Sequence, residues 1–548
     1  MVGDLDVPRL SGGRDLTTSD VVFGGVLTVF VWWYLTNLDG ALSVDETFYA
    51  RSGLGLYTGT PYQNPTHAFA PTVKYLVGAG QLAFGSTSFG VRMMIALCAI
   101  TVLVVVYLLG TELRSKPVGL VAATVVGATY LFAHHATIGV LDVPLTLFSL
   151  TGVYAARRWL CIRDRCHLVL LGVAAAAATT AKAYGFVYAV VPVAVVFVTL
   201  NRDHGLRAGL PAIAACLGTL FVVYLPYVIV PHPPVGGRLG SGGVMAVVGS
   251  LLKIPILGNF VYVFGIGFVV NVLHVSGGHT VTLGRTVYTY APVWTYLYWI
   301  GQYGGVVYAV LFVAAVAAPA RRIVRERTPT AHLLCWAVVV PLVFLSLLTV
   351  KFPRYILPLF PLVAVSGAAA IARVVDAPLV SVNAFQGARI RASVGLLVLL
   401  AIVVTAPMVN PFEQSVTDPL RTDTRYDDAV NFVESYAADH EGETVVVTYH
   451  YQTYRYYRGD SNGGDVRTIP LKAYAVGSND THFRYLKRLI ERGEVNLVVD
   501  NKHNPRMRST TVGQCIRTYG TPATHLRQSP DGDILVVYEL PDEPVGEC

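Results

Sequence analysis

Asp45 and Glu46 are adjacent carboxylates in Ala41-Leu-Ser-Val-Asp-Glu-Thr-Phe-Tyr-Ala-Arg51, just after the first long apolar stretch. A carboxylate partly stripped of water near a membrane surface suits proton abstraction from a hydroxyl, the task of a general base. A solvated loop with two ordinary acids is the plainer reading of the same pair. Next come His67, Pro71, Lys74 and Tyr75, in Asn64-Pro-Thr-His-Ala-Phe-Ala-Pro-Thr-Val-Lys-Tyr75, and then Arg92. Arg92 could grip a phosphate through a guanidinium fork and Lys74 as a point charge. Either residue alone also fits a side chain snorkelling to lipid headgroups. Asp142, in Gly139-Val-Leu-Asp-Val-Pro144, suits a helix N-cap as well as a substrate contact. The neighbouring His134-His135 pair makes a poor chelate, because adjacent helical side chains diverge by about 100°. No cofactor is certain from the sequence, and a divalent metal stays open without being indicated. Lys182 lies in Thr180-Ala-Lys-Ala-Tyr184, and Lys351 and Arg354 lie in Lys351-Phe-Pro-Arg-Tyr-Ile-Leu-Pro358, all between apolar runs. Ionisable groups at such depth point to function.

These residues must be carried by membrane helices. The 548 residues are 53% hydrophobic and 14% charged, against roughly 25% charged in a soluble domain. Apolar runs near the bilayer-crossing length of about 20 residues recur along the chain. The sequence predicts eleven spans, near 20–37, 90–111, 118–134, 142–157, 167–181, 183–200, 208–230, 299–319, 332–350, 355–372 and 392–409. With the N-terminus in the cytoplasm, the basic groups at Arg114–Lys116, Arg157–Arg165, Arg202–Arg207, Arg321–Arg327 and Arg373–Arg391 share one side, as the positive-inside rule requires. Met1–Asp20 is polar, so no cleavable signal is expected and the first apolar run stays as a helix. Lys74, Arg92, Lys182, Lys351 and Arg354 then fall on the face that basic loops avoid. An anionic ligand at the outer leaflet would explain that exception.

Two outer loops are long, 37–89 and 231–298. The second holds apolar pieces, Val244–Leu257 and Asn259–Leu273, that could be two further spans and would leave the orientation unchanged. The membrane domain is therefore placed at 1–409 and a small exterior α/β domain at 410–548. From residue 410 onward there are 15 Lys/Arg against 21 Asp/Glu, net −6, which leaves +13 for the membrane part. Such a split suits two environments and gives no nucleic-acid signature. In the tail, Asp427–Ala438 and His482–Glu491 read as helices, and Thr444–Tyr451, Val495–Asp500 and Ile534–Leu540 as strands. Asn479-Asp-Thr481 is a glycosylation sequon, and Cys515 and Cys548 could form a disulfide outside the cell.

Together the motifs resemble GT-C glycosyltransferases, in particular the dolichyl-phosphate-mannose protein mannosyltransferase-like branch with the aminoarabinose transferases, in an archaeal-type form. The resemblance covers about residues 20–372. It rests on Asp45-Glu46 in the first outer loop, Pro71-Thr-Val-Lys74, Arg92, Asp142, Ala291-Pro-Val-Trp294-Thr-Tyr296 and Arg354-Tyr-Ile-Leu-Pro-Leu-Phe-Pro361. Only one proline of the family's Pro-Pro pair is kept, and the usual His is displaced to His67. A Trp-Trp-Asp-x-Gly motif is missing, which argues against an oligosaccharyltransferase.

The resemblance implies a polyprenyl- or dolichyl-phosphate sugar as donor, with mannose as the default, and a glycan or glycoprotein as acceptor. It implies Asp45 as base, with Glu46 beside it, and inversion at the anomeric carbon. Arg92, Lys74 and Arg354, then Lys351 and Lys182, would face the phosphate. His67, Asp142, Trp294 and Tyr355 would contact substrate. The competing readings are a transporter or lipid flippase, and a scaffold or receptor working through its tail. Transporters carry ionisable residues on broken helices near the midplane, whereas these acids lie in predicted outer loops.

Overall fold

The computed structural model describes residues 17–40, 42–60, 70–182, 184–229, 281–283, 286–288, 290–348 and 350–375. In the C-terminal part it describes 426–440, 442–448, 454, 458, 466–470, 481–501, 516, 518–529 and 532–544. The chain divides into two compact units. One comprises Met1–Leu38 and Ser52–Leu420, the other Asp39–Arg51 and Arg421–Cys548.

The first unit is a helical bundle. Its helices are α1 (Thr18–Leu35), α2 (Val44–Tyr57, whose first half belongs to the second unit), α3 (Pro71–Phe84), α4 (Ser88–Leu113), α5 (Lys116–Ala128) and α6 (Tyr130–Ala136). They continue as α7 (Asp142–Ile162), α8 (Arg165–Ala181), α9 (Gly185–Asp203) and α10 (Leu210–Ile229). A short hairpin, β1 (Val281–Leu283) with β2 (Thr286–Tyr288), precedes α11 (Thr295–Glu326), α12 (Pro329–Leu347) and α13 (Leu359–Val375). Among the described residues six helices are long and apolar enough to cross a membrane, seven if α5 and α6 form one bent span. Each predicted span from 20–37 to 355–372 overlaps a helix of the bundle, although α7, α8 and α13, at 142–157, 167–181 and 355–372, are not among those six. The span at 392–409, the apolar pieces at 244–273, the sequon's Asn479 and the cysteines Cys515 and Cys548 lie outside the described residues.

Local chemistry sets the helix limits. Thr87 caps α4 by accepting from the Gly90 amide at 3.2 Å, and Asp164 caps α8 by accepting from the Cys166 amide at 3.1 Å. Small residues let the backbones close up, as they must where lipid gives no hydrophobic drive between helices. A side chain on Gly110 of α4 would lie 2.6 Å from the Gly119 Cα of α5.

Two features depart from the predicted layout. The stretch 118–134 is broken: α5 and α6 meet at 71° around Thr129. The Thr129 hydroxyl bonds the Val125 carbonyl at 2.6 Å and meets the Tyr308 hydroxyl of α11 at 3.2 Å. α11 is itself interrupted at Gly305, with φ 63°. The predicted loop 37–89 also contains two helices, α2 and α3. They hold together through glycine, since a Cβ on Gly53 would meet the Lys74 carbonyl at 2.6 Å.

The second unit is a small mixed sheet, with β3 (Thr444–Thr448), β4 (Val466–Pro470), β5 (Leu497–Asn501), β6 (Thr521–Ser529) and β7 (Gly532–Glu539) in the order β4-β3-β5-β7-β6. β3 runs parallel to β4 and β5, and β7 runs antiparallel to β5 and β6. The pleat sends alternate residues to opposite faces. Val445, Val447 and Val498 pack with Leu486, Leu489 and Ile490 of α15 (Thr481–Glu491). Val446, Leu497 and Val499 pack with Ala429, Val430 and Val433 of α14 (Tyr426–Asp439). Gly493 ends α15 with φ 69°, where its amide reaches the Ile490 carbonyl at 3.0 Å and the Glu494 amide reaches Leu489 at 2.9 Å.

Candidate active site

The adjacent acids Asp45 and Glu46 are separated by the helix they open. Ser43 stands before α2, and its amide donates to Glu46 Oε2 at 2.8 Å. The Glu46 amide donates back to Ser43 Oγ at 3.4 Å. Ser43-Val-Asp-Glu46 is thus a capping box, and Glu46, fully buried, holds the helix start. Asp45 is half-buried in the first turn of the same helix, where the positive end of the helix dipole favours a carboxylate.

A second group lies within the helical unit, at one end of its bundle. Asp142 opens α7 and Lys182 follows the end of α8. Because α7 and α8 form an antiparallel hairpin, these two ends meet. Lys182 Nζ stands 2.5 Å from Asp142 Oδ1, with the two side chains 11% and 1% exposed. The same ammonium lies 4.6 Å from the ring centroid of Tyr355 and 5.0 Å from that of Tyr184, a cation–π cradle. Tyr188 fixes the far wall by donating to the Tyr355 carbonyl at 2.6 Å. His135, buried, donates from Nδ1 to the Leu131 carbonyl at 2.8 Å. His135 and Arg354 are both within electrostatic reach of Asp142. Asp142 Oδ2 and the Tyr184 hydroxyl are buried with no hydrogen-bond partner among the described residues.

The other cations differ in their partners. Lys74, fully buried on α3, has its ammonium 5.8 Å from the Tyr227 ring centroid, and burial pulls its pKa down to about 7. The neighbouring Thr72 hydroxyl meets that of Thr180 at 2.6 Å, which ties α3 to the end of α8. Arg92 donates from Nη1 to the Leu38 carbonyl at 3.0 Å and anchors the chain where it leaves α1. Lys351 donates to the Ala291 carbonyl at 3.2 Å and to that of Leu348, and burial holds its ammonium below the usual lysine range. It joins the turn after α12 to the approach to α11. Arg354 is half-buried over the Phe352 ring, 5.2 Å from its centroid.

The structure thus brings Asp142, Lys182, Arg354 and Tyr355 together. Trp294 is 44% exposed and stacks edge-on with Tyr288 and Tyr298. His67 lies outside the described residues. Sequence reasoning missed Ser43, Tyr184 and Tyr188. A Ser three residues before Glu46, and tyrosines spaced i, i+4 just after Lys182, were the available signals. Among the described residues no three His, Cys, Asp or Glu side chains gather as metal ligands.

A model of the dolichyl-phosphate-mannose-protein mannosyltransferase family matches residues 66–229, and one of the Alg9-like mannosyltransferase family matches residues 256–456. The chain is a GT-C glycosyltransferase. No curated protein matches it. Among solved structures, this GT-C glycosyltransferase is similar in fold to ArnT from Cupriavidus metallidurans, seen apo and bound to undecaprenyl phosphate. The TM-score is 0.54 and the identity 16%, over 94% of this chain and 97% of that one. It is also similar to the Archaeoglobus fulgidus oligosaccharyltransferase, with TM-score 0.58 and 15% identity over 95% of this chain and 75% of that one. These likenesses agree with the predicted fold class, a polytopic helical membrane domain followed by a small α/β domain.

Proposed function

We propose that this glycosyltransferase moves one sugar, mannose, from a polyprenyl or dolichyl phosphate to a hydroxyl of a glycan or protein acceptor. In this reading the N-terminus is cytoplasmic, and the sugar is transferred on the outer face, where the C-terminal domain lies. Asp45 takes the acceptor proton. The freed oxygen attacks the anomeric carbon from the side opposite the phosphate, the C–O bond to the phosphate breaks, and the configuration inverts. The electron pair leaves with the lipid phosphate, whose growing charge is met by Lys74 and Arg354. Lys182 holds Asp142 for substrate, and Glu46, Arg92 and Lys351 position backbone.

The observation that carries this reading is the Asp142–Lys182 pair, buried with Arg354 in reach, in a chain whose two matched families are both mannosyltransferases. A charge pair so dehydrated is costly, and an anionic substrate gives it a use. Support for a lipid-phosphate donor comes from the first family's name and from ArnT, which is similar in fold and has been solved with undecaprenyl phosphate bound.

The test is transfer by purified protein from radiolabelled dolichyl-phosphate mannose to a membrane glycan extract, comparing wild type with Asp45→Asn. Loss of a general base should lower turnover by about 10²–10⁴-fold. Near-normal turnover in the variant removes Asp45 from the mechanism. A cysteine near Ser461 that stays unlabelled by an impermeant reagent until lysis would reverse the orientation.

A further inference from the structure

The opposite end of the bundle also gathers charge, and the transfer chemistry makes no use of it. Near the end of α13, Arg373 donates from Nη2 to the Leu113 carbonyl at the end of α4, 3.1 Å away. Arg114, Arg157 and Arg322 all lie within electrostatic reach of Arg373. Arg158, beside Arg157 on α7, pairs with Glu112 of α4 at 2.9 Å, with the two side chains 22% and 19% exposed. Arg157 reaches the Thr330 hydroxyl at 3.4 Å and Cys161 Sγ. Guanidiniums from α4, α7, α11 and α13 therefore converge. Among the described residues Glu112 and Glu326 are the acids set against Arg157, Arg158, Arg322 and Arg373, and Glu326 is taken up by Arg322 at 2.9 Å.

The positive-inside rule explains basic residues at this end, but not their convergence. Arg321, Arg325 and Arg327, on or next to the last turns of α11, obey that rule by pointing to solvent and are exposed. Arg157, Arg158, Arg322 and Arg373 are instead half-buried. The Nε atoms of Arg157 and Arg158 are buried with no hydrogen-bond acceptor among the described residues. Dehydrated guanidinium donors such as these suit an anion with several oxygens, and phosphate matches the guanidinium fork. The depth selects the source of that phosphate. α4 has 26 residues, so at 1.5 Å per residue it is about 39 Å long. It therefore outreaches the hydrocarbon core of about 30 Å. With the basic residues on the cytoplasmic side, the C-terminal end of α4, where the arginines meet, is the end that this reading puts at headgroup level.

We propose that Arg114, Arg157, Arg158, Arg322 and Arg373 form a second phosphate site, which holds the phosphodiester headgroup of an anionic membrane lipid. The site depends on the chain being a membrane protein. It does not depend on the donor, the acceptor or Asp45.

The full-length protein, purified in detergent, is unfolded thermally with added phosphatidylglycerol, phosphatidylcholine or inorganic phosphate, and retained lipid is weighed by native mass spectrometry. Phosphatidylglycerol should raise the melting temperature and stay bound, and the other two should not. Arg157→Gln should weaken phosphatidylglycerol binding by about tenfold or more, the scale of one charge-assisted hydrogen bond. Arg114→Gln, at an exposed position, gives the same readout should Arg157→Gln misfold. Arg325→Gln, also exposed, should leave the lipid shift unchanged. Equal stabilisation by phosphatidylcholine would overturn the site. A shift reproduced by inorganic phosphate would assign it to a soluble anion instead of a lipid. An undiminished lipid shift in both cluster variants would also overturn it.

Discussion

The two ends of the helical bundle hold ion pairs at different depths. At one end Lys182 and Asp142 are almost wholly removed from water and walled by tyrosines. At the other, Arg163–Asp203 and Arg322–Glu326 are ion pairs of similar length whose side chains keep 28–49% of their surface exposed. Exposed pairs contribute little to stability, since water screens them and holding two long side chains costs entropy. A buried pair contributes little net stability for another reason, because its attraction is set against the cost of dehydrating both ions. The fold therefore does not require charge at the Lys182 end, and apolar residues of the same volume would serve it as well. What the fold cannot tolerate there is half of the pair.

The comparison can be broken by experiment. Lys182→Met strands a buried carboxylate and should destabilise the protein by ~3–5 kcal/mol. Adding Asp142→Asn should recover part of that loss. Unfolding in detergent measures both, and a mild effect of the single change would mean that Asp142 finds water or another cation. Lys74 sharpens the comparison through pH. Burial puts its pKa at about 7, so its charge is present below that pH and is lost as pH rises through it. Donor use should then decline above pH 7, by about tenfold per unit. Lys74→Arg should flatten the profile, and an unchanged profile would take Lys74 away from the phosphate. Glu46→Ala should cost ~1 kcal/mol as a lost cap and lower turnover far less than Asp45→Asn does. Arg163→Met, at the exposed end, should change stability by ~0–1 kcal/mol. If it matched Lys182→Met, the two ends would not differ as described.

Much of this was legible in the sequence, for physical reasons. Asp142 and Lys182 stood out because a charge inside an apolar run is rare. Their pairing went unread, although two consecutive antiparallel helices bring the start of one to the end of the next. Arg354 was visible as a cation but not as their neighbour, because nothing local links α13's approach to α7. In the tail, the central strands β3, β5 and β7 were readable as apolar runs. The strands that escaped, β4 and β6, are the two edges of the sheet. They carry Pro470 and Pro522 and are more polar, as sheet edges must be to avoid pairing with other chains. α2 escaped because Ser52, Gly53 and Gly55 are poor helix formers. Its second half is held by close backbone contact with α3, which no propensity reports.

The Ser43–Glu46 cap gives the acidic pair a reading direction. The third helical residue reaches back to the Ser43 amide at 2.8 Å, as Asp20 reaches back to the Thr17 amide at 2.9 Å at the start of α1. Exchanging the two residues conserves charge, composition and hydropathy. It puts the shorter acid on the cap and the longer one in the place of Asp45. The order Asp-Glu is therefore a piece of stereochemical grammar, in which position and not charge decides which acid is tied to the backbone and which is left for other work.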